Sequence, residues 1–212
     1  MVDFFKWLWK WLNPRFRNRV INPILRKRLH NKQFTLIANN CIGGCILHDL
    51  GVRFDTPFIN LWLPHDSFLR FVNNIEYYIG LDLIECNKEE YDPNINYPVG
   101  RLGDVVIYFQ HYHSFTEAKE KWEERAARIH PNSIYILFCT YGDLENSYID
   151  NFSKIQYKKA LVSNRHIDLQ DSHYIHGMDN NWHWGQYLDY VSGQYFGRKY
   201  YDDFKFVKWL NT

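Results

Sequence analysis

Residues 133–140 read Ser-Ile-Tyr-Ile-Leu-Phe-Cys-Thr, an apolar run with no charge, closed off by Pro131 before it and Gly142 after it. Such a run is too short for a core helix and suits a strand inside a sheet. Further strand-like runs lie at 34–39, 58–61, 81–86, 104–110 and 159–163. Between them fall helix-like segments at 43–50, 64–79, 114–129 and 143–152, with a closing helix at 203–211. That alternation predicts an α/β fold, a mainly parallel open sheet flanked by helices. The helix at 64–79 places Phe68, Phe71, Val72 and Ile75 on one face, and Ser114 with Glu117 marks the start of the next as a capping box. In a chain of 212 residues, 46% apolar, this is one domain with a full core.

Residues 1–33 stand apart. They hold nine Lys and Arg against Asp3 alone, a charge of +8, and leave 16 basic against 23 acidic residues, −7, for residues 34–212. Phe4, Phe5, Leu8 and Trp11 share one helical face widened by Trp7 and Trp9, while Lys6 and Lys10 lie opposite. Pro14 is expected to stop this helix or start a second, and Pro23 to break the basic stretch that follows. A basic, Trp-rich amphipathic segment predicts binding to an anionic membrane surface, the alternative being a helix docked on its own domain or on a second subunit. Nucleic acid is not expected, since no binding motif accompanies the basic arm.

The chain carries no apolar run of membrane-spanning length, and Lys6 and Lys10 interrupt the only candidate for a secretory signal. Four cysteines without a regular spacing indicate a reducing compartment. The expected location is therefore cytoplasmic, peripheral on the inner face of the membrane.

Candidate chemistry concentrates where α/β sheets bind ligands, at the carboxyl ends of strands. Asn39, Asn40, Cys41, Gly43 and Gly44 follow the first predicted strand. Glycines let the backbone approach a ligand, and a helix N-terminus there is expected to lower the Cys41 pKa. His48 is a candidate base with Asp49 as its orienting partner, and the bland alternative is a buried Cys beside a tight turn. Around the strand 104–110, Arg101 and Asp104 precede it and Gln110, His111 and His113 follow it, expected to face Cys41 across neighbouring strand ends. His173, His176, Asp179 and His183, with Trp182 and Trp184, fit no metal-ligand spacing, so no metal site is predicted.

Asn39-Asn40-Cys41-Ile42-Gly43-Gly44, the stretch Phe54-Asp55-Thr56-Pro57-Phe58-Ile59-Asn60-Leu61, and Gly100-Arg101-Leu102-Gly103-Asp104 through Phe109-Gln110-His111-Tyr112 resemble a known family. So do residues 117–125, 157–162 and 204–211. The family is that of exopolysaccharide biosynthesis proteins, long filed as a domain of unknown function. The resemblance runs from about residue 34 to the C-terminus, departs at Thr140-Tyr141-Gly142-Asp143, and implies an α/β fold and a place in capsule or exopolysaccharide synthesis. The Asn-Cys turn is also loosely similar to that of polysaccharide acetyltransferases.

The expected function is thus a transferase that modifies or extends a surface polysaccharide or its lipid-linked precursor. In an acyl transfer Cys41 would be the nucleophile, His48 or His111 the base, and the Gly43 and Gly44 N–H groups the oxyanion donors, with acyl-CoA as cofactor. The alternatives are a non-catalytic membrane-associated scaffold and a glycosyltransferase, though no Asp-x-Asp pair follows a strand.

Overall fold

The computed structural model describes residues 2–87, 91, 94–142, 144–178, 185–191 and 196–212, and at residues 2–7 and 10 the backbone alone. The chain opens on one long helical arm. α1 (Val2–Phe16) passes through Pro14, a π-turn spans Arg17–Ile21, and α2 (Asn22–Arg28) follows. The proline expected to end the first helix therefore does not. Pro23 is also accommodated, because it falls in the first turn of α2, where no intrahelical donor is needed. The wider π-turn, closed by the Asn22 N–H on the Arg17 carbonyl, relieves the crowding that a proline ring imposes on the preceding turn.

The strands among the described residues are, in chain order, β1 (Thr35–Ala38), β2 (Ile84–Glu85), β3 (Val99–Leu102), β4 (Val105–Tyr108), β5 (Ile134–Thr140), β6 (Lys158–Ser163) and β7 (Ser172–Tyr174). Four form a parallel sheet in the order β1-β5-β6-β7, and three form a small antiparallel sheet in the order β2-β3-β4. All seven residues of β5 are buried. Its side chains alternate between two cores, which is why its sequence shows no polar face. Ile136 and Phe138 point into one core with Phe68, Phe71, Trp122 and Phe152. Tyr135, Leu137 and Cys139 point into the other with Ile46, Leu47, Tyr187, Tyr201 and Leu210.

The helices after the arm are α3 (Ile42–Leu50), α4 (His65–Asn73), α5 (Ile75–Ile79), α6 (Phe115–Ala126), α7 (Asn146–Ser153) and α8 (Phe206–Leu210). The Ser114 hydroxyl caps α6 by accepting from the Glu117 N–H, 3.2 Å. The Glu117 carboxylate reaches back to the His113 N–H, one residue beyond the reciprocal bond of a full capping box.

Several expectations change. The helix expected at 64–79 breaks at Asn74 into α4 and α5, and the strand expected at 81–86 is only the two residues of β2, antiparallel to β3. Residues 104–110 do not join the parallel sheet, because Gly103, at φ +57°, closes a tight hairpin and β4 pairs back on β3. Residues 58–61 form no regular strand, since Asn60 adopts φ +62°, and the chain meets β4 at an isolated bridge just beyond them, Trp62 to Tyr108. That bridge, with the Leu63 N–H on the Asn39 carbonyl at 2.9 Å, ties the small sheet to the end of β1.

From Asn13 on, the arm packs into the body. Asn13, Arg17 and Asn22 are buried. The Arg17 guanidinium donates to Asp49 at 2.7 Å, to both oxygens of Asp202 at 2.7 and 2.9 Å, to the Gly197 carbonyl at 2.8 Å and to the Tyr201 hydroxyl at 3.1 Å. Asn22 donates to the other Asp49 oxygen, 3.0 Å, and Arg26 to the Asp49 carbonyl, 2.8 Å. Docking on its own domain, the alternative to membrane contact, thus describes residues 13–28, while Trp11, Phe16, Val20 and Ile24 keep an exposed apolar edge. Of the expected membrane contacts, Leu8 and Trp9 are half-buried, and Trp9 packs tilted against Phe196, ring centroids 4.6 Å apart. The side chains of Phe4, Phe5, Lys6, Trp7 and Lys10 lie outside the described residues. Among the described residues no helix is long and apolar enough to cross a membrane.

Candidate functional site

The bridge between Trp62 and β4 brings the small sheet against the carboxyl end of β1, and a cleft of about 410 Å³ opens at the seam. Asn40, Cys41 and Ile42 form one wall; Trp62, Tyr97, Gln110 and His111 face them; Tyr187 and Leu188 close the end. Trp62 stacks flat on Tyr108, centroids 4.1 Å apart, so its ring is held rigid. The His111 N–H donates to the Asn60 carbonyl, 3.3 Å, placing the left-handed Asn60 directly beneath the histidine. A second cleft of about 340 Å³ shares Cys41, His111 and Leu188 with the first and extends along α3 past Cys45 and His48 to Arg125 and Lys199.

The fold thus brings together Cys41, His48, His111, Asn40 and Gln110, though His111 arrives on an antiparallel sheet instead of a neighbouring parallel strand. Other expected site residues go elsewhere. Asn39 is buried, and its amide bonds both the N–H and the carbonyl of Cys139 at 2.8 and 2.9 Å, extending the pairing of β1 with β5 by one side chain. Arg101 projects from β3 into solvent, and Asp104 sits in the hairpin turn with Gly103, away from the cleft end of β4, where it accepts from Tyr78 and Arg70. His113 lies past the cleft at the start of α6.

Gly43 and Gly44 lie within α3 and not in a turn before it. A Cβ on Gly43 would stand 2.8 Å from the Ala38 Cβ, so this glycine lets α3 approach β1. Gly44 lines the second cleft. The Asn40 side chain accepts from the Ile42 N–H, 3.0 Å, and so occupies a donor at the helix start.

The expected Cys41 thiolate is not supported. Burial pushes its thiol up to about 11, with neighbouring Cys45 adding to the shift, and Sγ sits 3.8 Å from the Leu61 carbonyl, to which it donates. Desolvation here outweighs the helix N-terminus. Burial raises Cys45 as well. Nor does Asp49 orient His48. Burial by itself would raise the Asp49 carboxyl, but the charge and hydrogen bond of Arg17 and the Tyr201 hydroxyl together hold it below the usual range. One of its oxygens accepts from Arg17 and Tyr201 and the other from Asn22, and His48 remains 71% exposed at 3.7 Å.

The sequence reading missed Trp62, Tyr97, Tyr187, Leu188, Arg125 and Lys199. Trp62 and Tyr97 carried a signal, as aromatics outside any amphipathic period. Tyr187, whose hydroxyl donates to the Thr140 and Val162 carbonyls at 2.7 and 3.2 Å, carried none. Asp179, Trp182, His183 and Trp184 lie outside the described residues.

A family profile described as a domain of unknown function, DUF1919, matches residues 13–211. It begins within the arm, not at residue 34, in keeping with the buried Asn13, Arg17 and Asn22. An uncharacterized protein of Haemophilus influenzae is 35% identical over 193 residues, spanning 90% of each chain. Neither match names an activity, so polysaccharide synthesis remains an expectation.

Proposed function

The chain belongs to the DUF1919 family, a domain of unknown function. We propose that it is a transferase that modifies or extends a surface polysaccharide or its lipid-linked precursor on the inner membrane face. The observation that carries this reading is the lining of the 410 Å³ cleft. It sets the rings of Trp62 and Tyr97 beside the amides of Asn40 and Gln110 and the imidazole of His111. Flat rings pack on the apolar faces of a sugar, and the amides and imidazole exchange hydrogen bonds with its hydroxyls.

The chemistry that fits is a direct transfer. His111 takes the proton of an acceptor hydroxyl as that oxygen attacks the donor, and the leaving group departs with its electron pair. Cys41, protonated at neutral pH, contributes a wall of the cleft and not a covalent intermediate.

The membrane surface is supported by the arm's outer edge. Phe16, Val20 and Ile24 recur every fourth residue, all exposed, and Arg15, Arg19, Lys27 and Arg28 flank them. A groove of about 720 Å³ between the arm and α8 continues this edge, with Phe204 and Val207 in its floor and Arg28, Lys205 and Lys208 on its rim. Apolar burial together with basic charge suits an anionic leaflet. Four free thiols fit a reducing compartment.

Mass spectrometry of the polymer tests the transferase. Cells carrying a gene deletion, His111→Gln or Trp62→Ala should yield polymer missing the same substituent or sugar, while Cys41→Ala retains it. Loss in Cys41→Ala as complete as in His111→Gln would restore a covalent thiol path. A defect confined to the deletion would make the chain a scaffold. For the membrane, Phe16→Asp with Ile24→Asp should abolish flotation on anionic vesicles, and retained flotation would overturn that half of the reading.

A further inference from the structure

We propose that the second cleft binds a phosphate or diphosphate ester, so that the ligand of this protein is a molecule with a sugar-like part in the aromatic cleft and a phosphate beside α3. The inference rests on the functional reading above for the aromatic cleft and on separate observations for the basic one. The two clefts are continuous in lining: Cys41, His111 and Leu188 border both. Their chemistry differs sharply. The first is aromatic and amide-lined, whereas Arg125, Lys199, His48 and His111 border the second.

Lys199 is held in place by two rings, its Nζ 5.2 Å from the centroid of Tyr201 and 5.6 Å from that of Tyr190. It forms no salt bridge among the described residues; its charge helps hold the Asp49 carboxyl below the usual range, but that carboxylate is bonded to Arg17, so the ammonium has no direct ion pair in the cleft. Arg125 spends one nitrogen on the Tyr112 hydroxyl, 2.7 Å, which steadies the guanidinium and leaves its other donors. The carboxylate in this lining, Asp49, is already matched by Arg17 at 2.7 Å. The arrangement therefore presents excess positive charge from fixed groups in a concave site, which is what recognition of a phosphate requires.

Two kinds of molecule join a phosphate ester to a transferable group: a glycosyl phosphate, including a lipid-linked one, whose phosphate is bonded to the sugar, and a coenzyme A thioester, whose diphosphate lies at the other end of the pantetheine arm from the acyl group. The shared chemistry is the phosphate ester, and competition separates the sources.

Inorganic pyrophosphate is the probe, titrated by calorimetry against the full chain at moderate salt. Binding should weaken at least tenfold in Lys199→Gln and several-fold in the exposed His48→Gln, with both variants melting like the wild type. Lys199→Arg, which keeps the charge, should bind as wild type. Binding equal in wild type and Lys199→Gln would locate the anion on the basic arm and overturn the inference, as would no binding at all. Glucose 1-phosphate displacing pyrophosphate identifies a glycosyl phosphate, and acetyl-coenzyme A displacing it identifies the thioester; displacement by neither overturns the inference. Methyl glucoside quenching of Trp62, lost in Trp62→Phe, reports the aromatic cleft alone, so failure of that reading and failure of this one are separately visible.

Discussion

A guanidinium that is 1% exposed has lost its water, and Arg17 recovers that loss from five hydrogen bonds, to Asp49, to both oxygens of Asp202, to Gly197 and to Tyr201. Replacing it leaves Asp49 buried beside Asn22 and Tyr201 without its bonded ion partner. Arg17→Met should cost about 3–5 kcal/mol, seen as a lower urea midpoint with an unchanged slope. The same group sets a pH dependence. The Asp49 carboxyl lies below its ordinary value in the folded protein, so its contribution is present above the unfolded carboxyl pKa, near 4, and disappears as pH falls through the lower folded value. Melting followed from pH 7 to pH 3 should show a steeper loss in wild type than in Asp49→Asn. Cys41 makes a prediction in the opposite direction: its alkylation should be slow at pH 7 and rise toward pH 11, whereas an activated thiolate would react at full rate near neutrality. Nothing near Arg17 in sequence distinguished it from the other basic residues of the arm, because its partners lie 32 and 185 positions away. Its charge was legible, but its burial was not.

At the scale of elements, α3 and the β3–β4 hairpin decide where chemistry can occur. Gly43 lets α3 close on β1, and Gly43→Ala sets a methyl group 2.8 Å from the Ala38 Cβ. Alanine gains about 1 kcal/mol of helix propensity over glycine, while overpacking costs about 1–3 kcal/mol. The clash is between two backbone-anchored methyl carbons that cannot rotate away, so the larger effect wins, and the urea midpoint should fall; a rise would mean that α3 is free to shift outward. The helix itself was readable from its apolar spacing, whereas its glycines looked like a ligand turn, since a Gly-Gly pair has the same appearance whether it faces a substrate or a strand. The hairpin was misread for a related reason. Val105, Ile107 and Phe109 are buried as in any strand, but the pairing partner of a short strand depends on the turn before it, here Gly103 at φ +57°.

For the molecule as a whole, the arm belongs to the body from Asn13 on, and truncations should divide there. Removing residues 1–12 should leave cooperative unfolding close to that of the full chain. Removing 1–28 takes away Asn13, Arg17 and Asn22 together, strands Asp49, and should abolish a cooperative melt by circular dichroism. Deleting the arm is for that reason a poor test of membrane binding, and point changes at Phe16 and Ile24 are a better one. Family membership over residues 13–211 draws the same boundary. Sequence by itself determined the α/β class, the central buried strand 134–140, most of the helices and the amphipathic charge of the arm, because each depends on local period and composition. Only the tertiary structure decided that His111 and Cys41 line the same clefts, that Asn39 serves β5, that Arg17 is an internal ion partner, and that burial holds the Cys41 thiol above its ordinary range. Those outcomes depend on residues far apart in the chain and on the water each group loses when the two cores close, and neither is written in local sequence.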